Sequence, residues 1–292
     1  MSSIRYETPT DLEALAQCLG RATERTHLLG GGTDLLPKFH GRIPVGTTLI
    51  DMTGIRALDT LEITAETVAI GANVTYARLA QEPFVQARIP CLSTMASQIG
   101  SVQVRNLACL PGNLANASPG GDALGTLMAL DAVVTILDAQ GRTRSIEVAD
   151  LVLGIGRTSL AMGEAIIGIR VPVPPSARSG FGKIGLGARS QVVIANVSLT
   201  MVFTLAAGDH RIGRARIVLG SAAPKAFRAL EAEKACLHRR PSAAMAAELA
   251  ESLRGNVQDS IRGNPLFQHK LNDVQGLAQD VFHAIFHDLI QE

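Results

Sequence analysis

Between an apolar stretch at 89–99 and another at 123–130, the chain runs through IGSVQVRNLACLPGNLANASPGGD, residues 99–122. A Gly-, Asn-, Ser- and Pro-rich connection of that length is uncommon inside a compact domain and usually carries function. Whatever fold forms must therefore be a scaffold for this segment. A second glycine cluster precedes it, LLGGGTDLLP at 28–37. There a short apolar strand, 27–29, runs directly into Gly30, Gly31 and Gly32. Thr33 and Asp34 are good N-cap residues for a helical turn over 35–39.

The remaining elements follow from periodicity. Thr10 or Asp11 can cap a helix whose apolar positions Leu12, Leu15, Ala16 and Leu19 recur at helical spacing up to Gly20. Strands are predicted at 48–51 and within 61–70, and Thr75 caps a helix carrying Leu79. Past the long loop, a β-branched strand at 132–137 turns through Asp138, Ala139, Gln140 and Gly141 into a polar partner strand. A strand at 164–171 is closed by Pro172, Pro174 and Pro175, and the run VPVPPSARSG, 171–180, reads as a linker. Beyond it, Val197, Leu199, Met201, Phe203 and Leu205 alternate with Ser198, Thr200 and Thr204. That pattern predicts a strand with one face on a core, returning through Gly208, Asp209 and His210 into 211–219. Helices are predicted over 225–237 and 242–253, and a terminal one carries the stripe Leu271, Val274, Leu277, Val281, Ile285 and Leu289. The chain is thus α+β, with a first domain over 1–175 and, over 176–292, a C-terminal antiparallel sheet with three helices.

Composition excludes several function classes. Trp is absent, aromatics are 3% and the formal net charge is +1. The chain thus lacks both the stacking surface and the basic field of a nucleic-acid binder. No signal-peptide pattern opens the chain and no apolar span reaches about 18 residues, so a cytoplasmic protein without membrane insertion is expected. Cys18, Cys91, Cys109 and Cys236 are scattered, which argues against a disulfide framework and against a metal site held by this chain alone. His283 and His287 are four apart but have no third ligand in sequence.

The two glycine segments point to an anion. Few Lys or Arg side chains lie in them, so concentrated negative charge would have to be met by backbone N–H groups, which glycines expose and a helix start reinforces. Gly112 and Asn113, with Asn116 and Ser118, suggest a second wall, and Asp122 is placed to accept from a sugar or ribityl hydroxyl. By itself a GGG turn before a helix is more often a plain tight connection. It lacks the GxGxxG spacing of a Rossmann turn and the GKS or GKT of a P-loop. The residues alone stop at an anionic ligand of the nucleotide class.

Together the segments carry a resemblance. LLGGGTDLLP resembles an AGGTDLL-type segment, and QVRNLACLPGNLANASPGGDALGTLMALDA resembles the QIRNxATIGGNLANASPxGDxxPxLxALDA segment, of the FAD-binding medium subunits of molybdenum hydroxylases. That family includes xanthine dehydrogenases, aerobic carbon monoxide dehydrogenases and related oxidoreductases of CoA esters and N-heterocycles. The likeness extends to AIGANVTYARL, to IIGIRVPVPP and to the pattern from Arg189 to Ala195, nearly the whole chain. It implies a two-subdomain FAD-binding domain, about 1–57 and 58–175, followed by the C-terminal domain. It implies an electron-transfer subunit of a heterotrimer, not active on substrate alone. Its partners are a large molybdopterin-binding subunit and a small 2Fe-2S subunit, and NAD+ or another acceptor takes the electrons. In this family pattern Gly30, Gly31, Gly32, Thr33 and Asp34 contact the FAD pyrophosphate. Cys109, Leu110, Pro111, Gly112 and Asn113 form the second pyrophosphate loop, with Asp122 on a sugar hydroxyl. Ile99, Ile166 and Lys183 border the flavin or adenine.

Two departures stand out. The family's Thr-x-Gly-Gly is Cys109-Leu110-Pro111-Gly112 here, so a hydroxyl is lost at 109 and a backbone N–H at 111. These losses motivate an alternative, a docking subunit of the same kind of complex with weak FAD binding. At 191, where some relatives carry an aromatic over the flavin, this chain has Gln191. Cys109 has no histidine near it in sequence, so it reads as a lining residue and not a nucleophile.

Overall fold

The computed structural model describes residues 4–186, 194–261 and 268–290. Gln191, and Arg189 of the 189–195 pattern, lie outside the described residues.

The N-terminal part is a small parallel sheet in the order Arg5–Glu7, Thr48–Asp51, Thr26–Leu29. Its first crossover is the helix Leu12–Leu19, capped by Asp11, whose carboxylate accepts the Ala14 amide at 2.8 Å. The helix buries Leu15, Ala16, Cys18 and Leu19 against Ile50, Met52 and Ile55. The second crossover starts with the glycine triplet and the four-residue helix Leu35–Lys38.

Next comes an antiparallel sheet in the order Leu61–Ile63, Thr67–Gly71, Ala165–Pro172, Val133–Leu137, Thr143–Glu147. Its apolar side chains, Val68, Ile70, Val134, Ile136 and Ile169 among them, pack with helical residues Leu79, Leu92, Met95, Leu114 and Leu127 into the largest core. These helices are Tyr76–Gln81, Pro90–Ser97, Leu110–Asn116 and Asp122–Ala129.

The 171–180 segment is not an extended linker. Val173 is buried, a turn passes through Pro174 to Ser176, and Ala177–Leu186 is already a strand of the next sheet. The prolines only remove the possibility of continuing the preceding strand, and a short turn satisfies them. The C-terminal sheet runs Ala177–Leu186, Ile194–Leu205, Ile212–Gly220, Phe227–Arg228, all antiparallel. Its fourth strand occupies residues expected to be helical, and the helix begins instead as Leu230–Cys236. The reason is edge pairing: Phe227 and Arg228 align with Leu219 and Val218, and the buried Glu233 carboxylate accepts the Ile217 amide at 3.0 Å.

The alternation at 197–205 is correct but its polar face is not in water. Val197, Leu199, Met201 and Phe203 are buried against the helices Ala243–Ile261 and His269–Phe286. Ser198 and Thr200 are also buried, with Val202 and Val218 joining the core of the preceding sheet. The Thr200 and Thr126 hydroxyls share a hydrogen bond of 3.0 Å between the sheet and the Asp122–Ala129 helix. Small hydroxyl side chains suit a buried seam because each can satisfy the other.

Candidate functional site

The long connection contains two short helices. Ser101 caps the helix Val102–Arg105 by accepting the Val104 amide at 3.3 Å, and the Arg105 guanidinium donates back to the Ile99 and Gly100 carbonyls at 3.0 Å each. Then Thr75 pairs with Cys109 as an isolated bridge, and the Tyr76 amide donates to the Ala108 carbonyl at 3.0 Å. The helix Leu110–Asn116 follows, ending at Ala117 in a left-handed conformation, φ 47°. The expectation of an irregular loop fails over 102–116, where Gly112 and Asn106, Asn113 and Asn116 fall within two short helices and their caps.

Glycine at 31 answers a packing need more than a ligand's need. A Cβ there would lie 1.9 Å from the Leu107 carbonyl oxygen, and one on Gly30 would lie 3.3 Å from the Cys109 sulfur. The triplet lets the two segments close on one another, and at Gly32, φ +66°, the backbone turns left-handed. Between the segments lies a cleft of ≈ 640 Å³, within the range of about 300 to 1,000 Å³ usual for ligand sites.

Gly30, Gly31, Gly32, Thr33, Asp34, Ile99, Cys109, Gly112, Asn113, Asp122 and Lys183 all line this cleft. Leu110, Pro111 and Ile166 do not; all three are buried, Leu110 and Ile166 within the largest core. Pro111 stands in the first turn of its helix, where an N–H has no intrahelical acceptor, so its missing donor leaves no gap in the helix.

Two lining residues escape a sequence reading. Lys38 pairs with Asp34 at 2.5 Å and its ammonium also donates to Asn116 Oδ1, joining the two segments. The only sequence signal was the Asp34–Lys38 spacing of four on a helical turn. Tyr76 is the other; it looks like an ordinary apolar position behind the Thr75 cap.

Charge in the cleft is balanced. Lys183 reaches in from the C-terminal sheet, donating to Asp122 Oδ2 at 2.7 Å and to the Gln98 carbonyl at 2.8 Å. Burial pushes the Asp122 carboxyl above its usual range, with Lys183 opposing. Burial likewise raises the Cys109 thiol, and the Gly112 and Gly31 amides that point at the sulfur offset this only in part. A raised pKa argues against a thiolate nucleophile. The Tyr76 hydroxyl and Asp122 Oδ1 are buried without a hydrogen-bond partner among the described residues.

The family model of the FAD binding domain in molybdopterin dehydrogenase matches residues 2–174, more than half of the chain. The chain belongs to the FAD-binding medium subunits of the molybdenum hydroxylases. The model of the CO dehydrogenase flavoprotein C-terminal domain matches 186–282 of this medium subunit. The nicotine 6-hydroxylase medium subunit of Paenarthrobacter nicotinovorans is 30% identical, over 93% of this chain and 94% of that one. The carbon monoxide dehydrogenase medium chain of Afipia carboxidovorans is 27% identical, over 93% of each. Among solved structures, carbon monoxide dehydrogenase from Hydrogenophaga pseudoflava superposes with a TM-score of 0.85, at 26% identity and over 98% of both chains. The medium subunit is therefore an α+β flavoprotein component of an oxidoreductase, with FAD as its cofactor. The cleft fits such a group: it has dinucleotide-scale volume, glycine backbone along its wall and two buried polar atoms without a partner among the described residues. No helix among the described residues is long and apolar enough to cross a membrane.

Proposed function

We propose that the cleft between the two glycine segments holds FAD. The backbone amides around Gly30, Gly31, Gly32, Thr33 and Asp34 face its pyrophosphate from one side, and those around Cys109, Gly112 and Asn113 from the other. Asp122 takes a sugar-chain hydroxyl, and Ile99 and Lys183 stand beside a ring system. Leu110, Pro111 and Ile166 support these residues by packing. The observation that carries the reading is the charge-balanced, glycine-walled cleft with its unsatisfied Asp122 oxygen. Dipoles of fixed amides bind a phosphate diester without a lysine cluster.

In this reading the chain works inside a cytoplasmic heterotrimer. A large molybdopterin-binding subunit oxidises the substrate, a small 2Fe-2S subunit carries the electrons, and this subunit delivers them to NAD+ or another acceptor. The isoalloxazine supplies the redox chemistry when bound, while the chain's residues bind it, orient it and exclude water. No acid, base or nucleophile of this chain is required, and the chain alone turns over no substrate. The weak-binding alternative loses part of its ground, because Pro111 lies off the cleft.

The test is to purify the complex and record its visible spectrum. Flavin near one per medium subunit is expected, and its absence overturns the reading. An acceptor screen of that complex, with NAD+, quinones, oxygen and ferredoxin, assigns the final step.

A further inference from the structure

Tyr76 sits at the start of its helix with its ring fully buried in the largest core. Its amide is tied to the Ala108 carbonyl and its neighbour Thr75 to Cys109, so the backbone that carries the side chain is fixed to the second glycine segment. It lines the cleft, yet its hydroxyl is buried and has no hydrogen-bond partner among the described residues. Asp122, on the same cleft, spends Oδ2 on Lys183 and leaves Oδ1 unpaired. Buried hydroxyls almost always find a partner, and a phenylalanine would fill this volume without the desolvated oxygen. The unpaired groups are complementary in kind, a donor phenol and an acceptor carboxylate, as a ligand bearing both phosphate and hydroxyl oxygens requires.

Resting on the FAD reading above, we propose that Tyr76 is a cofactor-binding residue whose phenol donates a hydrogen bond to an oxygen of the bound dinucleotide. Burial, reinforced by Cys109 and Asp122, pushes the phenol well above its ordinary value of 10.0. It is therefore protonated, and a donor, at neutral pH. The chain without FAD carries an enclosed oxygen that the dinucleotide relieves.

Opposite signs in two measurements on one variant test this. The full chain, stripped of flavin, is compared with its Tyr76→Phe variant by FAD titration, following flavin fluorescence, and by the thermal midpoint of the FAD-free protein. The variant is expected to bind FAD about three- to tenfold more weakly, the loss of one hydrogen bond. Its FAD-free midpoint should equal or exceed that of the wild type. Equal FAD affinity in the two proteins overturns the assignment. So does weaker binding accompanied by a lowered midpoint, which would mark the hydroxyl as structural. A wild-type chain that takes up no FAD instead overturns the cofactor reading itself, and this assignment with it.

Discussion

Removing Lys183 alone should destabilise the medium subunit far more than removing Lys183 and Asp122 together. The two side chains are 5% and 3% exposed and 2.7 Å apart. At that distance and an effective dielectric of about 20, their attraction is about 6 kcal/mol. Taking each ion out of water costs several kcal/mol, so the intact pair contributes little net. Lys183→Met keeps most of the apolar stem but leaves the Asp122 carboxylate buried with neither oxygen partnered, since Oδ1 is unpaired already. An uncompensated buried charge of this kind costs about 3 to 5 kcal/mol, a large share of the ~5 to 15 kcal/mol that holds a typical domain folded.

The pH dependence has a definite sign. Burial holds the folded-state Asp122 carboxyl above its unfolded value, and the loss of Lys183 raises it further. Between the unfolded value near 4 and the raised folded value, the native state binds the proton more tightly. Stability therefore falls as pH rises through that window, and the deficit of Lys183→Met shrinks on acidification. The chain has no Trp, so urea unfolding of the FAD-free protein is followed by far-ultraviolet circular dichroism. The expected deficit is about 3 kcal/mol or more near neutrality and less at about pH 5.5, with Lys183→Met/Asp122→Leu recovering most of it. A single variant as stable as the wild type, or a double variant no better than the single, would refute the reasoning.

Gly31→Ala puts a methyl 1.9 Å from the Leu107 carbonyl oxygen, so the two cleft segments must part. It should lose about 2 kcal/mol or more of stability together with its flavin, and wild-type values of midpoint and flavin content would contradict the packing role. Pro111→Gly removes a buried ring and frees the first turn of its helix, with an expected loss of about 1 to 2 kcal/mol in denaturant unfolding and no gain in FAD affinity. Tighter FAD binding would place residue 111 at the phosphate after all. Arg178 holds the Asp288 carboxyl down to about 2. The stability this pair gives is present above the unfolded value near 4 and lost as pH falls toward 2. Asp288→Asn should flatten that acid limb of the thermal midpoint while changing neutral stability by less than about 1 kcal/mol; an unaltered acid limb would sink the assignment.

Local signals are legible in the sequence where chain geometry dictates them. The Asp11 and Thr75 caps, the hairpin through Asp138 and the alternation at Val197, Leu199, Met201 and Phe203 all rest on neighbours in sequence. The structure departs from the sequence pattern where a distant partner decides. Ser198 and Thr200 alternate like a solvent face, but they meet the Asp122–Ala129 helix, which no local window contains. Phe227 and Arg228 leave a helical pattern for a sheet edge for the same reason. At the site, residues marked by the two glycine segments converge on one cleft, whereas Tyr76 and Lys38 were invisible because their importance lies in what stands across from them.

The resemblance drew the second cleft segment as one phosphate loop, and the structure divides it by depth. Cys109, Gly112 and Asn113 reach the cleft while Leu110 and Pro111 turn into the core, as a helical first turn demands. Replacing a glycine by proline at 111 therefore alters the packing side of the helix and spares the cleft side. Replacing a threonine at 109 falls on the cleft side, where the sulfur sits 3.3 Å from the place a Gly30 Cβ would take and 3.4 Å from that of Gly112. A larger, softer atom between two glycines keeps the segments apart by contact, with the Gly112 and Gly31 amides pointing at the sulfur. Of the two changes at 109 and 111, the cysteine is thus the one that faces the cleft, and the proline acts on the stability of the wall behind it.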